Sequence, residues 1–356
     1  MSRNHLKIYL VCLFAFITSF VEASNDGKGY IASPGGKCYM FRVTLRDKGQ
    51  SPYSLDKPSA FLSEAALKRR QRQHLTLDST DLPVSPTYIQ KIRKEGGNVV
   101  AISKWNNSVL VRGNNRQTLE DLKVLPFVRD SKLVFTSPDS IRPLSQRVRY
   151  RPDLQVLDST IHDYYGMGKA QLENLNGRKL HNMGFQGQGM TIAVLDAGFM
   201  NVDKMAAFKN VNIVGTHNFV AGYDADVYKE MDHGTKTLSV IAVNQPSTFV
   251  GSAPKASFWL LRSEDYLTES SAEEDYWIAA AEFADSVGVD VISSSLGYHG
   301  FDDKSLNYHY SDLNGVTAPI SRAASLLASK GIILVNSAGN DGMGPWKKIN
   351  VPADAH

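Results

Sequence analysis

Three side chains in this sequence stand where they could move a proton and stabilise an oxyanion. Asp196 closes the apolar run "TIAVLD" and is followed by the small pair Ala197 and Gly198. His233 sits in "YKEMDHGTKTLSVIA", just ahead of Leu238, Ile241 and Ala242, a pattern that predicts a helix starting at or near the imidazole. Asn340 belongs to "NSAGNDG", directly after the apolar run "IILV". A neutral imidazole oriented by an acid can take a proton from a nucleophile and return it later. An asparagine amide can donate to a developing oxyanion, and small residues beside it let a substrate backbone approach. A fourth stretch, "SSSLG" at 293–297, runs out of a strand into glycine, where exposed backbone could pair with an extended peptide.

Taken singly, each has another reading. Asp196 could belong to a dinucleotide site, but the only nearby glycine pair, "GQG" at 187–189, precedes the strand instead of following it. A phosphotransferase would place a second carboxylate at position 198, where Gly198 stands. An acid bonded to the turn after a strand stays open for Asp196 alone. His233 is one of nine histidines, and no HExxH or cysteine pair makes it a metal ligand. For Asn340 a plain Asn-Gly turn stays open.

The elements that must position these residues follow from periodicity. Short β-branched runs at 191–196, 211–215, 258–262, 290–295 and 332–337 alternate with helical stretches at 234–243, 272–287 and 317–330. Strands without polar alternation, joined by helices, predict an α/β fold with a parallel sheet covered by helices on both faces. In such sheets working residues gather at the carboxyl ends of the strands. Upstream, from Lys37 to about Phe135, the order is strand, helix, strand, strand, helix, strand, which predicts a ferredoxin-like α+β domain. An extra helix, "SAFLSEAALKRRQRQ", carries Lys68, Arg69, Arg70 and Arg72, read as a solvated face. Between the halves lies "SPDSIRPLSQRVRYRP", rich in proline and arginine, a linker open to proteolysis.

Composition narrows the class. The chain has 356 residues, 42% hydrophobic and 21% charged, with a formal charge of +3, which gives no support for disorder or a nucleic-acid surface. Arg3 and Lys7 precede an apolar run from Ile8 to Val21 that ends in small residues, so residues 1–23 read as a cleaved secretory signal and not as a membrane anchor. Secreted or periplasmic placement follows. Cys12 leaves with the signal, and Cys38 alone can form no intrachain disulfide.

Together the four stretches resemble the subtilisin-like serine peptidases, the subtilase family. The aspartate motif stands as "IAVLDAGF", the histidine motif as "DHGTKTLSVIA", the substrate-binding strand as "VISSSLG" and the oxyanion asparagine as "VNSAGNDG"; "VGSAPKASFWLLR" at 250–262 also matches a family segment. The resemblance implies that Asp196 orients and charge-stabilises His233, the general base and then acid, and that Asn340 holds the oxyanion. It further implies that Ser295, Leu296 and Gly297, with Ala338 and Gly339, line the primary specificity pocket. Residues 24–136 would be an inhibitory, folding-assisting propeptide, since "YSLDKPSAFLSEAALKRRQRQHLTLDSTDLPVSPTYIQKI" looks like that region of secreted Bacteroidetes-type subtilases. Residues 137–167 would be the linker with the processing site, and 168–356 the first part of the catalytic domain. The implied partners are protein or peptide substrates and the chain's own propeptide, with no nucleic acid and no membrane. No cofactor is required, no metal ligand set is expected, and a structural calcium is open but without support in the residues.

In one respect the chain departs from the family. No serine follows Ser337, so the nucleophile expected after the oxyanion asparagine has no counterpart. The expectation is a secreted serine endopeptidase whose chain as given is truncated before its nucleophile and inactive. The alternative is a non-catalytic peptide-binding or regulatory protein derived from a subtilase.

Overall fold

In the computed structural model, residues 36–49, 51–139 and 163–356 are described. The expected signal and most of the linker lie outside them.

The upstream half begins with β1 (Tyr39–Leu45), followed by α1 (Glu64–Arg72), α2 (Pro86–Lys94), β2 (Asn98–Ser103), β3 (Ser108–Gly113), α3 (Gln117–Lys123) and β4 (Val128–Thr136). The strands form an antiparallel sheet in the order β2-β3-β1-β4. That order is the ferredoxin-like one expected from the pattern. Phe41, Val43, Val109 and Val111 turn to one face and pack with Ile92 and Leu122 of the helices. Ser63 caps α1, accepting from the Ala66 amide at 3.1 Å, and so satisfies one of the helix's orphan donors.

The second half opens with two short helices, α4 (Lys169–Asn174) and α5 (Gly177–Asn182), then β5 (Thr191–Asp196), β6 (Asn212–Asn218) and α6 (His233–Ala242). A small hairpin of β7 (Asn244–Gln245) and β8 (Phe249–Val250) precedes β9 (Ser257–Arg262), α7 (Ala272–Val287), β10 (Val291–Ser294), α8 (Pro319–Ser329) and β11 (Ile333–Asn336). The five longer strands pair in parallel in the order β11-β10-β5-β9-β6. Alternation along β5 shows why both faces are covered. Ile192 and Val194 pack with Leu238 and Ala242 of α6, while Ala193 and Leu195 pack with Trp277 and Ala281 of α7 and Ile320 and Leu327 of α8. Each such aliphatic side chain, fully buried, contributes about 1.5–3 kcal/mol. Residues 163–167, expected in the linker, already belong to this half. Gly166 bridges Phe249 and Tyr165 is 4% exposed, so packing on the hairpin starts earlier than composition suggested.

The two halves meet along α7, and here one expectation is corrected. Arg69 and Arg70 do not sit on a solvated face: they are 1% and 3% exposed. The helix pattern was read without its neighbour, and α1 lies against the C-terminus of α7. The Ser63 amide donates to Ser286 O at 2.9 Å, and a side chain at Gly288 would run into Ala65 and Ala66. Arg69, Arg70 and Lys104 converge on Asp285 at 2.5, 2.9 and 3.0 Å, and Arg70 and Lys330 on Asp81 at 2.8 and 3.0 Å. Lys68 and Arg72 are exposed, paired with Glu64 and Asp290. Farther along α7, Glu282 accepts from Ser103 Oγ and the Lys104 and Trp105 amides, and Asp275 accepts from Arg42.

Burial alone would raise the Asp285 carboxyl, but Lys104, Arg70 and Arg69 hold it below the ordinary aspartate value. Its contribution to stability is therefore complete above the unfolded-state value near 4 and is lost as pH falls through the depressed folded one. Asp285→Ala leaves three cations buried without their carboxylate and is expected to cost about 3–5 kcal/mol at neutral pH. Urea denaturation of the whole chain checks this; a loss below about 1 kcal/mol would show that the cluster is held by other contacts.

Candidate functional site

Asp196 ends β5 at the carboxyl edge of the sheet, and His233 is the first residue of α6. Gly198 and Gly234 allow the two segments to touch backbone to backbone. A Cβ on Gly198 would lie 2.2 Å from Glu230 O, and one on Gly234 would lie 2.4 Å from Gly198 O. This contact brings the imidazole onto the carboxylate: His233 Nδ1 lies 2.8 Å from Asp196 Oδ1. The carboxylate, 0% exposed, accepts also from the Ala197 amide at 2.8 Å and from Thr237 Oγ1 at 3.1 Å. With both oxygens engaged its plane is fixed, and with it the ring it holds.

A proton on Nδ1 leaves the Nε2 lone pair free. About half of the His233 side chain is exposed, and it borders a cavity of about 530 Å³ that Ser295 and Leu296 also line. The hydrogen bond to Asp196 raises the imidazole's pKa above its ordinary value, against partial burial, which lowers it. The arrangement can accept a proton from a group entering the cavity and stabilise the imidazolium that results.

The remaining expected residues lie at the same edge of the sheet but outside that cavity. Gly297 follows β10, and Ala338, Gly339 and Asn340 follow β11, paired in parallel with β10. The Ser337 amide donates to Ser294 O at 2.9 Å, which keeps the two exits side by side. The Asn340 side chain is exposed and, among the described residues, holds no hydrogen bond. Between Gly297 and Gly339 lies a residue that no pattern singled out, Asn350. A Cβ on Gly297 would come within 3.0 Å of its Cβ, and one on Gly339 within 2.6 Å of its Nδ2. Its amide donates to Asp341 Oδ2 at 2.9 Å.

Sequence reasoning also missed four acids that line the same cavity, Glu264, Asp265, Glu269 and Asp302. The signal was present: Glu264 and Asp265 come just after β9, and Asp196 is the last residue of β5, all acids at a strand's carboxyl end. Among the described residues, no group of three or more His, Cys, Asp or Glu could hold a metal ion, and no helix is long and apolar enough to cross a membrane. Cys38 is a free, buried thiol.

Comparison with known proteins agrees with this architecture. Residues 187–356 match the subtilase family, and residues 40–149 match the peptidase S8 propeptide domain of Bacteroidota. Subtilisin E of Bacillus subtilis (strain 168) is 24% identical over 264 residues, 74% of this chain and 57% of that protein. Subtilisin Savinase of Lederbergia lenta is 28% identical over 175 residues, 49% of this chain and 55% of that protein. The chain thus spans little more than half the length of these relatives. The solved structure of the epidermin leader peptide processing serine protease of Staphylococcus aureus superposes with a TM-score of 0.50 at 16% identity, over 86% of this chain and 61% of that one.

The raised His233 pKa has a direct check. In Asp196→Asn the imidazole loses its anionic partner, and its titration, followed by NMR of the ring protons, is expected to move to lower pH than in the parent chain. An unmoved or higher value would mean that the carboxylate does not set the histidine's protonation.

Proposed function

Because the chain belongs to the subtilase family, we propose that it is the propeptide and the first part of the catalytic domain of a secreted serine endopeptidase. The observation that carries this reading is the buried Asp196 carboxylate bonded to Nδ1 of a half-exposed His233 that borders a cavity. In the proposed reaction, Nε2 takes the proton of a serine hydroxyl as its oxygen bonds to the scissile carbonyl carbon. Asp196 stabilises the imidazolium, and the Asn340 amide donates to the carbonyl oxygen as it becomes an oxyanion. His233 then returns the proton to the departing amine as the carbon–nitrogen bond breaks. Water next attacks the acyl carbon as His233 takes its proton, and that proton passes to the serine oxygen as the acyl–oxygen bond breaks.

Residues 338–356 contain no serine, and we assign the nucleophile to sequence beyond residue 356. Support for a further part of the sheet comes from β11: it pairs on one side with β10, and Ile333 and Val335 on it are 64% and 58% exposed. The antiparallel domain ahead of the site supports the propeptide role, because it covers α7 and α8 of the catalytic half through the buried ion cluster. Export through the apolar leader belongs to the same proposal, as does cleavage between residues 137 and 168. A non-catalytic peptide-binding protein is the second reading, favoured only by the lack of a serine.

Purified 356-residue chain is expected neither to hydrolyse casein nor to be labelled by a serine-directed fluorophosphonate. A chain extended by its downstream coding sequence is expected to do both, and His233→Ala in that chain to lose turnover on the order of a millionfold, the loss known for subtilisin itself. Labelling of the 356-residue chain would mean that the nucleophile is already present; an extended chain that stays silent would favour the binding protein.

A further inference from the structure

The cavity that His233 borders is also lined by four carboxylates, Glu264, Asp265, Glu269 and Asp302. Among the described residues none of them forms an ion pair with lysine or arginine. Two are occupied by local bonds. Asp265 accepts from Tyr223, from Thr268 Oγ1 at 2.7 Å and from the Leu267 amide at 3.0 Å; Asp302 accepts from the Glu269 amide at 3.0 Å. The other two keep acceptor capacity. Glu264 uses Oε2 to accept from Tyr298 at 2.5 Å and holds no bond at Oε1, and the Glu269 carboxylate holds none. Lys304, the cation acting on Glu269, donates its ammonium to Phe301 O at 2.7 Å. Burial and mutual repulsion push Glu264 up to about 8 and Glu269 up to about 7. Carboxylates held in that state gain most from a cation brought to them.

The sequence supplies such cations a few positions beyond the end of β4. The end of the propeptide sheet, Val134 and Phe135 of β4, packs in one cluster with Val220, Ala272, Tyr276 and Tyr223 of the catalytic half. Tyr223 is the residue whose hydroxyl donates to Asp265. The chain therefore leaves β4 next to the acidic wall, and the sequence that follows, "SIRPLSQRVRYRP" at 140–152, carries Arg142, Arg147, Arg149 and Arg151. A guanidinium meets a carboxylate with paired charge-assisted hydrogen bonds, which a neutral side chain cannot do.

We propose that the acid-walled cavity beside His233 is a subsite for arginine side chains, and that its first occupant is the chain's own segment 140–152. The proposal rests on the reading of the cavity as a peptide-binding cleft and adds its selectivity: substrates with a basic residue close to the scissile bond, and a leader cut within its arginine-bearing stretch.

The test is a binding measurement, independent of hydrolysis. The 356-residue chain carrying R142Q, R147Q, R149Q and R151Q, so that its own segment competes less, is titrated into a fluorophore-labelled peptide of residues 140–152. A second peptide carries citrulline, of nearly the same shape but neutral, at the four arginine positions. The arginine peptide is expected to bind at least tenfold tighter, and adding E264Q and E269Q to the protein is expected to bring the ratio of Kd values below two. Equal Kd values for the two peptides in the first protein would overturn the proposal while leaving the peptidase reading standing. A ratio that survives E264Q and E269Q would place the attraction elsewhere and overturn it equally. Binding of neither peptide would also overturn it, with the hydrolysis assay deciding the peptidase reading on its own. The first comparison varies only the peptide, and the E264Q, E269Q chain is titrated once its circular dichroism and melting temperature match those of the first protein, so that a folding defect does not stand in for lost selectivity.

Discussion

A carboxylate taken fully out of water must be satisfied by its surroundings, and the site is organised around that demand at Asp196. Its two oxygens take an amide, a hydroxyl and an imidazole, each from a different place in the chain: Ala197 beside it, Thr237 one turn into α6, and His233 at the helix start. For α6 to deliver two of the three, its first turn must press against the loop after β5, and the paired glycines at 198 and 234 are the residues that permit this. A buried charge without such partners would cost several kcal/mol. The same contacts that stabilise the carboxylate thus set the direction of the ring, which borders the cavity, and leave its second nitrogen out of the bond to Asp196.

Helix α7 plays the corresponding part between the two halves. Its side toward the sheet is apolar, with Trp277, Ile278 and Ala281 in the core, and its side toward the propeptide is acidic. Asp275, Glu282 and Asp285 would face water if the helix stood alone; instead they are satisfied by Arg42, the turn at 103–105 and the cations of α1. Trp105, at the same turn, enters the core cluster of the catalytic half. The upstream domain therefore completes α7 chemically as well as sterically.

How much of this could be read from residues alone follows from the range of the forces involved. The strands at 191–196 and 258–262 and the helix at 272–287 were legible because their apolar periodicity is local, and the acid, the imidazole and the asparagine stood out because each follows or opens such an element. Short pieces with little periodicity, α4, α5 and the hairpin of β7 and β8, were not. The sequence pattern reads Arg69 and Arg70 as solvated because the carboxylate they share, Asp285, lies more than 200 positions away. Asn350 escaped notice for a similar reason: nothing in "KKINVPADAH" says that it will fill the gap between Gly297 and Gly339.

The acidic wall shows how an unmarked stretch acquires a role through one anchoring residue. Residues 263–271 carry no motif, yet Glu273, in the first turn of α7 and 0% exposed, accepts from the Asp265 amide at 2.8 Å and the Ser270 amide at 2.6 Å. Both ends of the loop are thereby tied to the helix, and Glu264, Asp265 and Glu269 are presented to the cavity from a fixed backbone. A loop free to turn would let these acids reach water and lower their mutual repulsion. Held as they are, they remain close to one another and to His233, and the energy that repulsion costs is available to whatever cation relieves it. The helix that receives the upstream domain on one side thus holds, at its N-terminus, the loop that presents these acids to the cavity.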